Sequence, residues 1–66
     1  MKISEKIGRL RYEKDWTQRK LADKLNVHRN IVILWENGKV IPSVQNCIAL
    51  ADVFNVTLDE LCCRGE

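Results

Sequence analysis

Long apolar segments are missing from this sequence of 66 residues, and its longest uninterrupted apolar runs, such as residues 31–35, contain only five residues. A helix needs about 20 mostly apolar residues to cross a bilayer. The N-terminus also lacks the apolar stretch of a signal peptide. We therefore expect a cytoplasmic protein that neither crosses a membrane nor is anchored in one.

Cysteine is scarce, and its arrangement does not indicate a disulfide framework. The three cysteines are Cys47, Cys62 and Cys63, an odd number with two of them adjacent. We expect reduced thiols, with Cys47 and Cys62 packed as small apolar side chains. Cys63, near the end of the sequence, is expected to be exposed, and an intermolecular disulfide or a thiol sensor at that position is the alternative.

Groupings of residues that could support catalysis are absent as well. The sequence has one histidine, His28, scattered carboxylates and no glycine-rich phosphate loop, so no nucleophile, base and orienting group can be assembled. His28 has neither a second histidine nor a cysteine at ligand spacing. We expect no enzymatic activity, no metal site and no cofactor.

The size and composition favour one small soluble domain covering residues 1–66. A chain of this length buries only about 60% of the surface that its unfolded form exposes. With 45% hydrophobic and 30% charged residues, the composition is that of an ordinary globular chain. We expect room for a binding surface, but for neither a deep catalytic cleft nor a separate sensor domain.

The charges are distributed unevenly along the sequence. Residues 1–42 carry ten Lys and Arg against five Asp and Glu, a net charge of +5. Residues 43–66 carry one Arg against four acidic residues, a net charge of −3. We therefore expect the N-terminal part to face a polyanion and the C-terminal part to face away from it.

The apolar spacing predicts five helices and no strand, an all-α fold. The predicted helices cover residues 3–14, 18–25, about 28–36, 44 to near 55, and a short segment after Thr57. Their expected boundaries are Thr17 and Ser43 as N-caps and Asn26 as a left-handed helix end. On the fourth helix, the residues expected to face the core are Val44, Cys47, Ile48, Ala51 and Phe54. Gly8, inside the first helix, is either a tolerated defect or a point of close helix packing.

Residues 18–37 have the pattern of a helix-turn-helix unit. Two short helices flank a three-residue break at Asn26, with the small Ala22 where the helices would cross. The residues expected to hold the pair together are Leu21, Leu25, Val27, Val32 and Trp35. In such a unit the second helix can enter the major groove of DNA.

From about residue 4 to 62 the sequence resembles the phage-repressor, Cro-type (XRE) helix-turn-helix family. The matching positions are Gln18, Leu21-Ala22, the turn before Val27, Trp35-Glu36-Asn37-Gly38, Pro42-Ser43 and Leu58-Asp59-Glu60-Leu61. The resemblance implies a five-helix, sequence-specific regulator of transcription that binds a near-palindromic site on double-stranded DNA as a homodimer. We expect a repressor that dimerises through its fourth and fifth helices.

Residues that would read DNA bases follow from the helical rotation of the third helix. If Val32 and Trp35 face inward, Arg29, Asn30, Ile33 and Leu34 must face outward. Arg29 could bond guanine and Asn30 adenine, each with about 1–3 kcal/mol of discrimination. The alternative for both polar residues is simple solvation at the start of a helix.

Contacts to phosphates and one ion pair are also expected. The candidate phosphate contacts are Thr17, Gln18, His28 and Lys39, with Arg19 and Lys20 as weaker candidates; the alternative for the basic residues is a solvated side chain. His28 stands where the family usually has a Ser or Thr cap, so a weaker cap is expected. The resemblance also implies a structural ion pair between Arg11 and Glu36 across the core, rather than two exposed charges.

The third helix departs from the family in its apolar residues Ile31, Ile33 and Leu34, where many relatives carry polar side chains. We expect all three to be exposed. One interpretation is contact with thymine methyl groups in the major groove. The other is a protein partner, which would make the chain a protein-interaction module on a helix-turn-helix scaffold.

Overall fold

The computed structural model describes residues 2–62, and this part of the chain forms five α-helices joined by short loops. Helix α1 covers Ile3–Glu13, α2 Gln18–Leu25, α3 Arg29–Glu36, α4 Val44–Phe54 and α5 Leu58–Cys62. The all-α, five-helix prediction is therefore confirmed, with helix boundaries close to the expected ones. In this range no helix has both the length and the apolar character that crossing a membrane requires.

A single core is built from all five helices. α3 packs against α1 and α2, α4 packs against α2 and α5, and α5 also contacts α1. The buried apolar residues are Ile7, Leu10, Leu21, Ala22, Val32, Trp35, Leu50, Ala51, Phe54 and Leu61. At the edge of this core the rings of Trp16 and Phe54 stack with their centroids 5.7 Å apart. The helix-turn-helix unit therefore rests on a common apolar base.

The first four helices end in the same backbone motif. In each, a residue with positive φ follows the helix; these residues are Asp15, Asn26, Gly38 and Asn55. At Asn26 the next amide, that of Val27, donates to the carbonyl of Ala22 at 3.0 Å, and Asn26 donates to Asp23 at 3.2 Å. These are the two bonds of a Schellman motif, which satisfies the last carbonyls of a helix. The expected left-handed conformation of Asn26 is confirmed.

The expected inward face of α4 is partly wrong. Val44 and Ile48 are 75% and 46% exposed, whereas Leu50 is fully buried. Cys47 is half-buried, and Ala51 and Phe54 lie in the core as expected. Helix α4 is apolar on more than one side, so its core-facing stripe contains Leu50 in place of Val44 and Ile48. The remaining apolar residues form a surface of their own.

The cysteines also differ in part from expectation. Cys47 is half-buried, but Cys62 is exposed rather than packed as a small apolar side chain. The reason is its place in the last turn of α5, where Leu61 takes the buried position. Cys63 lies outside the described residues.

Candidate nucleic-acid interface

Helix α3 has one buried face and one exposed end. Val32 and Trp35 are buried against α1 and α2, as the helical rotation requires. Arg29 and Asn30, in the first turn of α3, are both exposed. The start of α3 therefore presents a guanidinium and an amide to solvent, two groups of the kinds that bond base edges in other DNA-binding proteins.

His28 caps α3 effectively. Its Nδ1 accepts a hydrogen bond from the backbone N–H of Asn30 at 3.1 Å. This bond requires an unprotonated Nδ1, so in the neutral ring the proton lies on Nε2. The imidazole thus takes the place of the Ser or Thr cap, and its weaker contribution to helix stability stays a prediction. Its Nε2–H would be the group that donates to a phosphate.

Between the start of α3 and the outer face of α2 lies a polar cleft of about 410 Å³. Arg19, His28 and Arg29 line it, together with Ala22, Asp23 and Val27. The two arginines give one side of this cleft a positive potential, although Asp23 offsets part of it. Asp23 could not be singled out from the sequence, because its position on the cleft depends on how α2 and α3 cross.

Arg11 and Glu36 form a two-pronged ion pair between α1 and the end of α3. Arg11 Nε donates to Glu36 Oε2 at 2.7 Å, and Nη2 donates to Oε1 at 3.0 Å. The third donor, Nη1, bonds the carbonyl oxygen of Trp16 at 2.9 Å. The side chains of Arg11 and Glu36 are only 9% and 11% exposed, and the bonds to Glu36 raise the pKa of Arg11. Three of the five N–H hydrogens of the Arg11 guanidinium are thus used inside the protein, so the pair is a structural group.

Gln18 is drawn into the same group of charges. Its Nε2 donates to Glu36 Oε1 at 3.1 Å, and the residue is half-buried. An amide nitrogen carries two hydrogens, so one remains for an outside acceptor. Thr17 is exposed, and its hydroxyl oxygen accepts from the backbone N–H of Lys20 at 3.0 Å. Both residues fix the start of α2, where free N–H groups favour an anion.

The remaining candidates lie on both sides of α3. Arg19 and Lys39 are exposed, and Lys39 also donates its backbone N–H to Leu34 at 3.1 Å, which closes the end of α3. Ile33 and Leu34 are half-buried rather than exposed. Ile31 is half-buried as well and packs against the core. The prediction of three exposed aliphatic side chains is therefore wrong. Ile31 packs against the core, and Ile33 and Leu34 are half-buried.

A second surface lies on α4 and α5, the helices expected to make the dimer contact, but the sequence did not identify its exposed apolar residues. The exposed apolar residues of α4 and α5 include Val44, Ile48 and Leu58. Beside them is a cleft of about 350 Å³, lined by Pro42, Val44, Cys47, Leu58, Asp59 and Cys62. We call the exposed apolar residues and the residues that line this cleft, taken together, the α4–α5 apolar surface. The two apolar stripes of α4 could have indicated from the sequence that one of them is exposed. Periodicity alone does not tell which stripe is buried.

The fold and the exposed start of α3 define a helix-turn-helix domain. Over residues 7–61 the sequence matches the profile of the helix-turn-helix family. The chain belongs to this family, in its phage-repressor, Cro (XRE) type, as the sequence resemblance predicted. Membership identifies a DNA-binding domain and not an enzyme.

Individual relatives agree with the family match. The chain is 39% identical over 61 residues to the transcriptional activator BcrR of Enterococcus faecalis, covering 92% of this chain and 30% of that protein. It is 31% identical over 64 residues to the cryptic phage CTXphi transcriptional repressor RstR of Vibrio cholerae, covering 97% and 57%. The crystal structure of a transcriptional regulator from Listeria innocua is similar with a TM-score of 0.91 at 28% identity, covering 98% of this chain and 61% of that one. The chain thus spans only part of the length of each.

Proposed function

We propose that this chain regulates transcription by binding a specific sequence of double-stranded DNA, with α3 in the major groove. The observation that carries the proposal is the exposed pair Arg29 and Asn30 at the start of a helix whose opposite face is anchored by Val32 and Trp35. A fixed helix keeps polar groups in place against base edges, which gives specificity. One relative is named as an activator and another as a repressor. Within this proposal we keep repression, the role expected from the sequence, as the direction of regulation.

In this proposal, Arg29 bonds guanine and Asn30 bonds adenine, while Ile33 and Leu34 contact thymine methyl groups with their uncovered parts. Arg19 and the Nε2–H of His28 bind a phosphate at the polar cleft. Further phosphates are contacted by Thr17 and Gln18 at the start of α2 and by the side chain of Lys39. Phosphate contacts fix the position of the protein, and base contacts supply the specificity.

The test is selection of bound duplexes from a random pool by the whole chain. We expect an enriched sequence with a near-palindrome whose half-sites lie about one helical turn apart. The Asn30→Ala variant should lose the preference at one position of each half-site. Arg9→Gln, which removes a charge from the exposed surface of α1, should select the same sequence as the unchanged protein. Recovery of no preferred sequence, even at low salt, would contradict the proposal.

Two copies of the chain are needed to read a near-palindrome, and the α4–α5 apolar surface is where we place their contact. Val44, Ile48 and Leu58 expose apolar area there. An apolar patch of this kind in a monomer usually marks an interaction site. A two-fold dimer uses the same patch of both copies, so one self-complementary surface is sufficient.

The dimer contact is tested by sedimentation equilibrium of matched charge insertions on α4. Val44→Lys places a cation in the apolar surface and should shift the chain toward monomer. Gln45→Lys adds the same charge at the exposed neighbouring position and should leave the association unchanged. Far-UV circular dichroism checks that both variants fold. Equal association of the two variants would show that the contact lies elsewhere.

A further inference from the structure

Two cysteines from different helices line one cleft on the α4–α5 apolar surface. Cys47, on α4, and Cys62, in the last turn of α5, line the same cleft. The Cys47 thiol is half-buried and donates to the carbonyl oxygen of Pro42, with 3.7 Å between Sγ and oxygen. Burial raises the pKa of the Cys47 thiol, and the Cys62 side chain on the same cleft raises it further.

We propose that Cys47 and Cys62 form a thiol pair, which a disulfide oxidant such as oxidised glutathione converts to an intramolecular disulfide between α4 and α5. Fourteen residues lie between the two cysteines in the sequence. The sequence therefore showed that the cysteines were few and odd in number, but not which of them lie close together. The packing of α5 against α4 brings them together. Nothing in this proposal depends on DNA binding.

The difference in exposure sets the order of the two steps. The exposed Cys62 reacts first: its thiolate attacks one sulfur of the oxidant, forms a mixed disulfide and releases one glutathione thiolate. The Cys47 thiol then loses its proton to solvent, and its sulfur attacks the Cys62 sulfur and expels the second glutathione. Two protein thiols are oxidised to one disulfide, and one oxidised glutathione is reduced to two thiols.

The surroundings of the pair indicate slow formation. The cleft contains no Lys, Arg or His among its described lining residues, and its one charged member is Asp59. Neither the lining nor the burial of Cys47 favours a thiolate. We therefore expect the bond to form under sustained oxidation and at mildly alkaline pH, rather than in a reduced cell at rest. Once formed, it would fasten the five-residue helix α5 to α4 on the surface proposed for dimer contact.

The experiment uses the full chain and a Cys63→Ser variant, which retains only Cys47 and Cys62. Each is treated with oxidised glutathione, and the remaining free thiols are alkylated. The product is then cleaved at acidic residues; Asp52, Asp59 and Glu60 separate Cys47 from Cys62. Mass spectrometry should find a monomer in which the two peptides are joined and are released by reduction. The native variant should form this bond at least about tenfold faster than the same variant in denaturant, because folding raises the local thiol concentration.

Matched variants separate the outcomes. Cys47→Ser and Cys62→Ser, each added to Cys63→Ser, should both lose the joined peptides and give only glutathione adducts or intermolecular dimers. A bond between Cys62 and Cys63 in the unchanged chain would overturn the proposal. So would native Cys63→Ser protein that forms only adducts or dimers, or that closes the bond no faster than the unfolded chain.

Discussion

The Arg11–Glu36 pair connects α1, the end of α3, the loop before α2 and the start of α2. Through Glu36 it links α1 to the end of α3, and through the carbonyl of Trp16 it fixes the loop that leads to α2. Gln18 joins the same carboxylate from the start of α2. The ring of Tyr12 also lies beneath the guanidinium, 4.7 Å from its carbon to the ring centroid. One buried pair thus sets the position of both helices of the helix-turn-helix unit relative to α1.

We expect Arg11→Met to destabilise the protein by up to about 3 kcal/mol, because it leaves the largely buried Glu36 carboxylate without its cation. For a domain of this size each 1 kcal/mol lowers the melting temperature by about 4–8 °C. Arg9→Met is the matched control: it breaks an Arg–Glu pair whose side chains are 58% and 56% exposed. Such a pair contributes at most about 1 kcal/mol. Equal melting temperatures for the two variants would mean that Arg11 has no structural role.

Gly8 lies in α1 beside the Glu36 side chain, which allows a choice between a tolerated defect and a point of close helix packing. A Cβ built at Gly8 would lie 3.7 Å from Glu36 Oε1, an ordinary van der Waals distance. Close packing therefore does not exclude a methyl group, and we expect Gly8→Ala to stabilise the protein by up to about 1 kcal/mol through helix propensity. Gly38→Ala should do the opposite, by about 1 kcal/mol, because Gly38 has φ of +76°. Thermal unfolding of both variants checks the opposite signs.

At the scale of the helices, three of the four Schellman endings share a second feature. The residue after the positive φ is Trp16, Val27 or Val56, and each of these packs against the core. The motif joins a satisfied helix end to an apolar anchor in the next segment. Only the ending of α3 departs, since Gly38 is followed by the exposed Lys39. The turn between α2 and α3 is thus held by the backbone of Asn26 and the side chain of Val27.

Asn26 gives the sharpest test of this turn. We expect Asn26→Ala to destabilise the protein by about 1 kcal/mol, because alanine enters the left-handed region less readily than asparagine. Asn26→Gly should leave stability unchanged or raise it slightly, since glycine has no penalty there. Urea unfolding of the two variants measures both changes. A loss of the same size in both would indicate that the amide side chain, and not the backbone conformation, is what matters.

The helix boundaries could be predicted because they depend on single residues. Thr17 and Ser43 accept the expected cap hydrogen bonds, and Asn26 has the expected left-handed conformation. The core face of α4 could not be predicted, because apolar residues on several sides of a helix do not specify which side is covered. The same limit applies to Ile31, whose burial depends on the crossing of α2 and α3. Pairings distant in sequence, such as Gln18 with Glu36 or Cys47 beside Cys62, require the packed structure.

At the scale of the whole molecule, the uneven charge has a structural counterpart. Arg19 and Arg29 line the polar cleft beside α3, whereas Asp59 lies on the α4–α5 apolar surface. A polyanion would be attracted to the first region and disfavoured at the second. This arrangement suits a domain that meets DNA with α2 and α3 and a second copy with α4 and α5.

The proposed roles of Arg19 and Asn30 predict different responses to salt. Each phosphate contact releases counterions, so affinity falls with salt more steeply when more phosphates are neutralised. Arg19→Gln should lower the slope of log K against log salt by about 1 and weaken binding to every duplex. Asn30→Ala should leave the slope unchanged and cost about 1–3 kcal/mol on the preferred duplex alone. Fluorescence anisotropy on a preferred and a random duplex measures both quantities, with Arg9→Gln as the charge control. A reduced slope for Asn30→Ala, or an unchanged one for Arg19→Gln, would reverse the assignment of base and phosphate contacts.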